Sequence, residues 1–439
     1  MNVNIGGIAM KLLSAIIAAT VLFALPAQAT LNISSKPTKN VDCEDGVCVS
    51  IADDANLNTS DLAALLADAD IRILTEGGVA QDILVLSPLN WSSSHALSLE
   101  TEDSIYMRST ITVQGTAHLS LAVAGGPIYQ RKGAVRFWDV ASQLTIDGDD
   151  YRLVNSIADL ASTIAAHPKG FVALANDYNA KQDGQVTRVP VQTTFGGTFD
   201  GLGNTISNFS IWDTVDNNIA LFAATKPEGV IRNLRMTKVN VLAENTFTNI
   251  VGALIAYNGG TLLNCQVDGG TVRTDFDGVL GGLAGISYGG IFRSWANVSV
   301  EGAQSAQAGG LIGNAHGHVQ DVYAIGRAIA GDQSDVGGLI GYNFAHVRNA
   351  YSAGHVSGGQ NARVGGLMGT TQLPVHDTYW NTETSGTEFG VSGTNIPGIT
   401  GMTTAELQAE LPDGLRFEIW AENAKINGGQ PYLIANPPK

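Results

Sequence analysis

The stretch that decides the fold reads LGGLAGISYGGIFRSWANVSV at 280–300, AGGLIGNAHGHVQDVYAIGRA at 308–328, VGGLIGYNFAHVRNAYSAGHV at 336–356 and VGGLMGTTQLPVHDTYWNTE at 364–383. A looser copy, VGALIAYNGGTLLNCQVDGGTV, precedes them at 251–272. The starts lie 29, 28, 28 and 28 residues apart, and in every copy a second apolar segment opens eleven residues after the first. A fixed period of this size marks a solenoid, in which each unit buries its apolar face only by stacking on a neighbour.

The columns of the repeat say which kind. Column four is always Leu: Leu254, Leu283, Leu311, Leu339 and Leu367. The glycine before it (Gly282, Gly310, Gly338, Gly366) marks a corner where a Cβ would clash or where φ is positive. In the second segment a polar column (Asn264, Arg293, Asp321, Asn349, Asp377) is followed by an aromatic one (Trp295, Tyr323, Tyr351, Tyr379), with Gln266 in the loose copy. No ten-residue helical period occurs, and short β-prone runs separated by Gly predict strands. One copy at roughly 3.3 Å per residue makes a circuit of about three short strands, with circuits stacked about 4.8 Å apart. The fold class expected is all-β: a parallel β-helix, or β-solenoid, with the Leu and aromatic columns as its repeating core.

Gly282-Leu283-Ala284-Gly285, Gly310-Leu311-Ile312-Gly313 and Gly338-Leu339-Ile340-Gly341 resemble the core of the GLUG motif family. That family occurs in bacterial surface and secreted proteins, many resembling filamentous haemagglutinins and adhesins, and in some IgA-directed peptidases. The resemblance implies an extracellular β-helical protein. It carries no catalytic residue over, because the motif is structural.

The rest of the chain is read around these repeats. Residues 1–29 read as a secretory signal peptide: Lys11, an apolar run, then Pro26-Ala27-Gln28-Ala29 as the cleavage site, with Met10 an alternative start to Met1. No other stretch is a transmembrane candidate. Residues 30–69 are expected to cap the N-terminal edge, with a Cys43–Cys48 disulfide closing an Asp-Gly turn and a short helix capped by Ser60. Over 70–150 a weaker period returns, its alternating cores opening at Ile71, Leu97, Leu119 and Leu144, and resembles the rungs of haemagglutinin-like exoproteins. Residues 151–183 break the rhythm with a helix capped by Ser156. The repeat solenoid then spans 184–400, and 401–439, opening on the capping-box pattern Thr403-Thr404-Ala405-Glu406, is expected to cap its far end.

Forty acidic against 24 basic side chains argue against nucleic acid as a partner. Gly285-Ile286-Ser287-Tyr288-Gly289 matches a serine-hydrolase elbow in letters but falls on a repeat corner, with no Ser in the next copy. No His is followed by Glu, so the His-Glu-x-x-His zinc motif is absent. His318 and His346 share a column near His316 and read as solvated corner residues. Cys265 falls in a small-residue slot and reads as a packing thiol. No cofactor and no catalytic residue is assigned. The function expected is non-enzymatic: an adhesin-like protein binding a surface receptor or glycan through the segments that vary between copies, 268–278, 301–307, 331–335 and 357–363. The alternatives are a β-helical polysaccharide lyase or hydrolase, with Asp275, Asp277 and Glu301 as its candidate carboxylates, and a purely structural surface component.

Overall fold

Residues of like type stack on one another throughout the second half of the chain. Val251, Leu280, Ala308, Val336 and Val364 are successive Cα partners in parallel strands, as are Leu262, Ile291, Val319, Val347 and Val375. The computed structural model describes residues 29–244 and 249–438. It is about 48% strand and 8% helix, wound as a β-solenoid of about 12 turns. Leu254, Leu283, Leu311, Leu339 and Leu367 are buried in one inner core. Their backbones form a ladder, Leu311 N donating to Leu339 O at 2.9 Å and Leu339 N to Leu367 O at 2.8 Å.

The corner chemistry differs from the reading of the sequence. None of Gly282, Gly310, Gly338 and Gly366 has positive φ. They are there for space: a Cβ on Gly310 would lie 2.1 Å from the Gly338 carbonyl oxygen of the next turn. The left-handed residues are those of the polar column, Asn264, Arg293, Asp321, Asn349 and Asp377, with φ of 54, 48, 54, 53 and 52°. Asn and Asp tolerate that region because their short side chains bond locally, and Asn349 Nδ2 donates to Asp321 Oδ1 at 3.1 Å. The Leu280 copy holds four strands, not three: Gly278–Gly281, Ala284–Ser287, Gly290–Phe292 and Trp295–Glu301, the last two parted at Arg293, whereas in the next three copies one strand runs on through Asp321, Asn349 and Asp377.

The aromatic column and the tail also lie elsewhere than the sequence predicts. Trp295, Tyr323, Tyr351 and Tyr379 lie outside the inner core and form a separate apolar layer with Leu415, Trp420 and Leu433. Their rings stack, Trp295 on Tyr323 at 5.3 Å and Tyr323 on Tyr351 at 5.1 Å between centroids. The tail is a strap over this layer rather than a plug at the end. Tyr379 Oη donates to Asp413 O (2.7 Å), Tyr351 Oη to Pro431 O (2.6 Å) and Trp295 Nε1 to Asn436 O (2.7 Å). The strap thus runs back along the column, opposite to the growth of the solenoid. The open end is closed instead by Trp380, Val391 and Ile399, which join the inner core. A four-residue helix, Thr404–Leu407, begins the strap with both bonds of the capping box on Thr403 and Glu406.

The first half is a solenoid of its own. Ile71, Leu97, Leu119 and Leu144 are successive parallel partners over a core of their own, the first along the chain. Residues 30–69 belong to it: Thr30–Ser34 pairs with both Asn56–Asn58 and Asp82–Val85. The helix Thr59–Asp68 is capped by Asn58, two residues before the expected Ser60, because the extended Asn58 accepts from Ser60 N at 2.7 Å. Leu62 and Leu66 bury its inner face. Cys43 and Cys48 are bonded across an antiparallel hairpin whose turn, Asp45-Gly46, has φ of 48 and 79°. Replacing both cysteines by Ser is expected to cost this solenoid about 2 kcal/mol, given the small loop closed, read as an earlier urea transition. Cys265 is expected to resist alkylation until the protein unfolds. Labelling in the native state would put that thiol at the surface.

The helical break at 151–183 is the joint between the solenoids. Gln143–Ile146 and Asp149–Val154 pair antiparallel, so strand direction reverses, and the second strand then pairs parallel with Phe171–Leu174. Between them the helix Ile157–Ala166, capped by Ser156, places Ile157, Leu160 and Ile164 in the second core. The strand after it is a shared wall: Val172 and Leu174 belong to the second core, Ala173 to the first. Arg232 locks the joint, pairing with the fully buried Asp200 at 2.7 Å and donating to Gly125 O (2.8 Å) and Tyr151 Oη (3.0 Å). A buried ion pair holds only when its remaining donors are satisfied in this way.

Candidate functional site

The segments that vary between copies lie where each circuit closes. The first is half strand, since Gln266–Thr274 is continuous. The later three are turns of different sequence and one backbone: Ser305, Gln333 and Asn361, 28 residues apart, all have left-handed φ of 55, 58 and 57°. They stack, Ser305 N donating to Asp332 O at 2.8 Å and Gln333 N to Gln360 O at 2.9 Å. The result is a ribbon of side chains on a fixed frame, bordering a trough of about 610 Å³ lined by Arg273, Asp275, Glu301, Ile329 and Gly359 among others.

Two of the three candidate carboxylates meet in that trough, while Asp277 is not in its lining. Asp275 is paired with Arg273 at 2.6 Å, and Glu301 with Arg327. Burial pushes the Glu301 carboxyl up, but hydrogen bonds from Ser299 and Arg327 outweigh it and hold the group below its ordinary value. A general acid needs the opposite shift.

Ser287 is fully buried, donating to Gly289 O at 3.0 Å and accepting from Asn258 Nδ2 at 2.9 Å. It ends one strand and leads through a turn into another, with no helix following. His318 and His346 are paired, rings 5.9 Å apart. His316 is not with them, because the corner intervenes: it stacks between Tyr288 (4.2 Å) and Phe344 (5.0 Å). Burial pushes the His316 imidazole below its ordinary pKa. Cys265 is buried, and burial pushes its thiol up to about 12, far from a reactive thiolate. Among the described residues, no three His, Cys, Asp or Glu side chains gather so as to hold a metal ion.

Sequence reasoning passed over one further place. A cavity of about 1030 Å³ opens where the two solenoids and the strap meet. The first solenoid contributes Arg108, Arg131, Lys132 and Arg136, the second Asp177 and Arg235, and the strap Tyr432, Ile434, Pro437 and Pro438. Arg235 stands in the aromatic column, two turns before Trp295, through Gln266. Following that column back past 251 is the signal that leads to it.

No family model matches the chain. Over 180 residues it is 30% identical to halomucin of Haloquadratum walsbyi, an alignment covering 36% of this chain and 2% of halomucin. The chain therefore spans a very small part of that relative. A solved chain from Bacteroides ovatus, provisionally named an immunoglobulin A1 protease, is similar over 66% of this chain and 93% of its own, with 18% identity and a TM-score of 0.48. Among the described residues no helix is long and apolar enough to cross a membrane. The signal-peptide reading, 1–29, lies outside the described residues save for Ala29.

Proposed function

We propose that this is an exported, non-enzymatic β-helical protein of the GLUG and haemagglutinin-like kind, working by adhesin-like attachment. The observation that carries the reading is the ribbon of turns: Ser305, Gln333 and Asn361 repeat one backbone while the residues around them differ. Recognition usually sits on loops held by a rigid scaffold, and a solenoid with fixed columns and free loops separates the two roles. The signal-peptide pattern read in residues 1–29 and the part-length similarity to halomucin support an extracellular setting. The lyase alternative draws no support from the trough, where Asp275 and Glu301 are both tied to arginines.

Exchanging 275–277, 302–306, 331–334 and 359–362 for Gly-Ser of equal length tests this. The circular dichroism spectrum and melting temperature are expected to hold within a few degrees, since no inner-core side chain but Ala306 changes. Attachment to cells or extracellular matrix is expected to fall at least about tenfold, the loss of roughly 1.4 kcal/mol or more. Attachment that survives moves the site off the ribbon, and loss of a depolymerising activity on the same exchange would restore the enzyme reading.

A further inference from the structure

In a chain with 40 acidic and 24 basic side chains, cations gathered in one concave place need a cause. The cleft at the joint holds five, Arg108, Arg131, Lys132, Arg136 and Arg235, facing the one carboxylate of Asp177. Asp177 is already engaged, by the Arg136 guanidinium and by Thr205 N at 2.8 Å. Among the described residues the other four cations have no carboxylate within ion-pairing distance. Arg235 is the most telling. It is only 4% exposed, and its Nη2 donates to the Arg131 carbonyl at 2.9 Å. Burial pushes its guanidinium below the ordinary value; the Asp177 carboxylate draws it back in part, and the nearby Arg136 opposes that. A cation so placed is unfavourable until an anion joins it. Its column holds uncharged residues in every later turn, so the geometry of the turn does not ask for charge there.

We infer that this cleft binds an acidic saccharide, its carboxylates on the guanidinium groups and its ring faces against Tyr432 and the strap prolines. Guanidinium forks match planar carboxylates in a bidentate way. The strap lines the cleft with mainly apolar residues and one aromatic, Tyr432, which suits the C–H face of a sugar. The volume exceeds what a single sugar fills, so the ligand is an oligosaccharide. An extended peptide would bind such a place by adding a strand, but the edge of Ala134–Phe137 is taken. Val135 N donates to Leu202 O at 3.0 Å and Phe137 N to Ala175 O at 2.9 Å. Asn204 Nδ2 donates to Val135 O at 2.8 Å.

The cleft is separate from the loop ribbon, and the test keeps the two apart. Isothermal titration of the full chain would use a galacturonic acid tetrasaccharide, its methyl ester and a hexaglutamate peptide. The acid is expected to bind one to one, more weakly as salt rises, with the ester at least about tenfold weaker and the peptide no tighter than the ester. Arg235→Met and the double variant Arg131→Ala with Lys132→Ala are each expected to weaken the acid about tenfold or more. Should Arg235→Met fail to fold, the double variant decides, because both its side chains are exposed. The loop-exchanged protein is expected to bind the tetrasaccharide unchanged, whether or not it still attaches to cells. Absence of binding by the acid, equal binding by the ester, tighter binding by the peptide, or an unchanged affinity in the double variant would each overturn the inference.

Discussion

Leu339→Asp is expected to prevent the second solenoid from folding. Leu339 is fully buried, flanked by Leu311 and Leu367 on adjacent turns, and linked to Leu367 through its backbone at 2.8 Å. Removing the isobutyl group alone costs about 3–5 kcal/mol at such sites. A carboxylate left there without a partner adds several kcal/mol more or must bind a proton. The sum approaches the whole stability of an ordinary domain, about 5–15 kcal/mol. The variant should express as aggregate, or show a far-UV spectrum that has lost much of its strand signal. Leu65→Asp is the control: Leu65 is 36% exposed on the first helix and outside both cores, and the change should cost only about 1 kcal/mol. A wild-type melting curve for Leu339→Asp would mean that the Leu column does not face inward.

Trp420→Ala should produce a different loss, confined to the strap. Trp420 is fully buried, lies 5.8 Å from the Tyr323 ring and 6.0 Å from Tyr351, and donates from Nε1 to Asp321 Oδ1 at 3.1 Å. Truncating a buried Trp costs about 3–5 kcal/mol. Here that cost falls on a segment held mainly by one apolar layer and a few hydrogen bonds to the column. The strap should detach while the solenoids keep their own cores. Trypsin would then cut at Arg416 or Lys425, a hydrophobic dye would bind the bared aromatic column, and the strand signal would persist. Unchanged protease resistance would show that the strap is held elsewhere.

The contrast between these variants marks what the sequence reveals. The turns of the second solenoid are legible because parallel stacking puts like over like, so a 28-residue period states the register directly; those of the first show in the alternating cores at Ile71, Leu97, Leu119 and Leu144, at less even spacing. Which way the aromatic column points is not legible. Ile291 faces the inner core, and so do Ala296, Val298 and Val300. An odd step of five between inward residues cannot occur in an unbroken strand. The left-handed Arg293 shifts the phase; the warning lies in its column, where the other copies hold Asn264, Asp321, Asn349 and Asp377, types that tolerate positive φ, and not in the Arg itself. The cap differs for a smaller reason: both Asn58 and Ser60 are good caps two residues apart, and Asn58 takes the Ser60 and Asp61 amides. The cleft was least legible. Its walls come from residues near 108–136, 177–235 and 421–438, which no local pattern connects.

The strap gauges the length of the array. It leaves the last turn near Tyr379 and ends with Pro437 and Pro438 at the cleft beside Arg235, touching Tyr351 and Trp295 on the way. One more repeat inserted among the copies would lift the last turn about 4.8 Å further away. Asn436 would then fall short of Trp295, and the two prolines would withdraw from the wall they form. Solenoids with free ends can gain or lose units by unequal exchange at little cost beyond the unit itself. This one cannot, because a change in copy number must be matched by a change in the tail or the cleft loses a side.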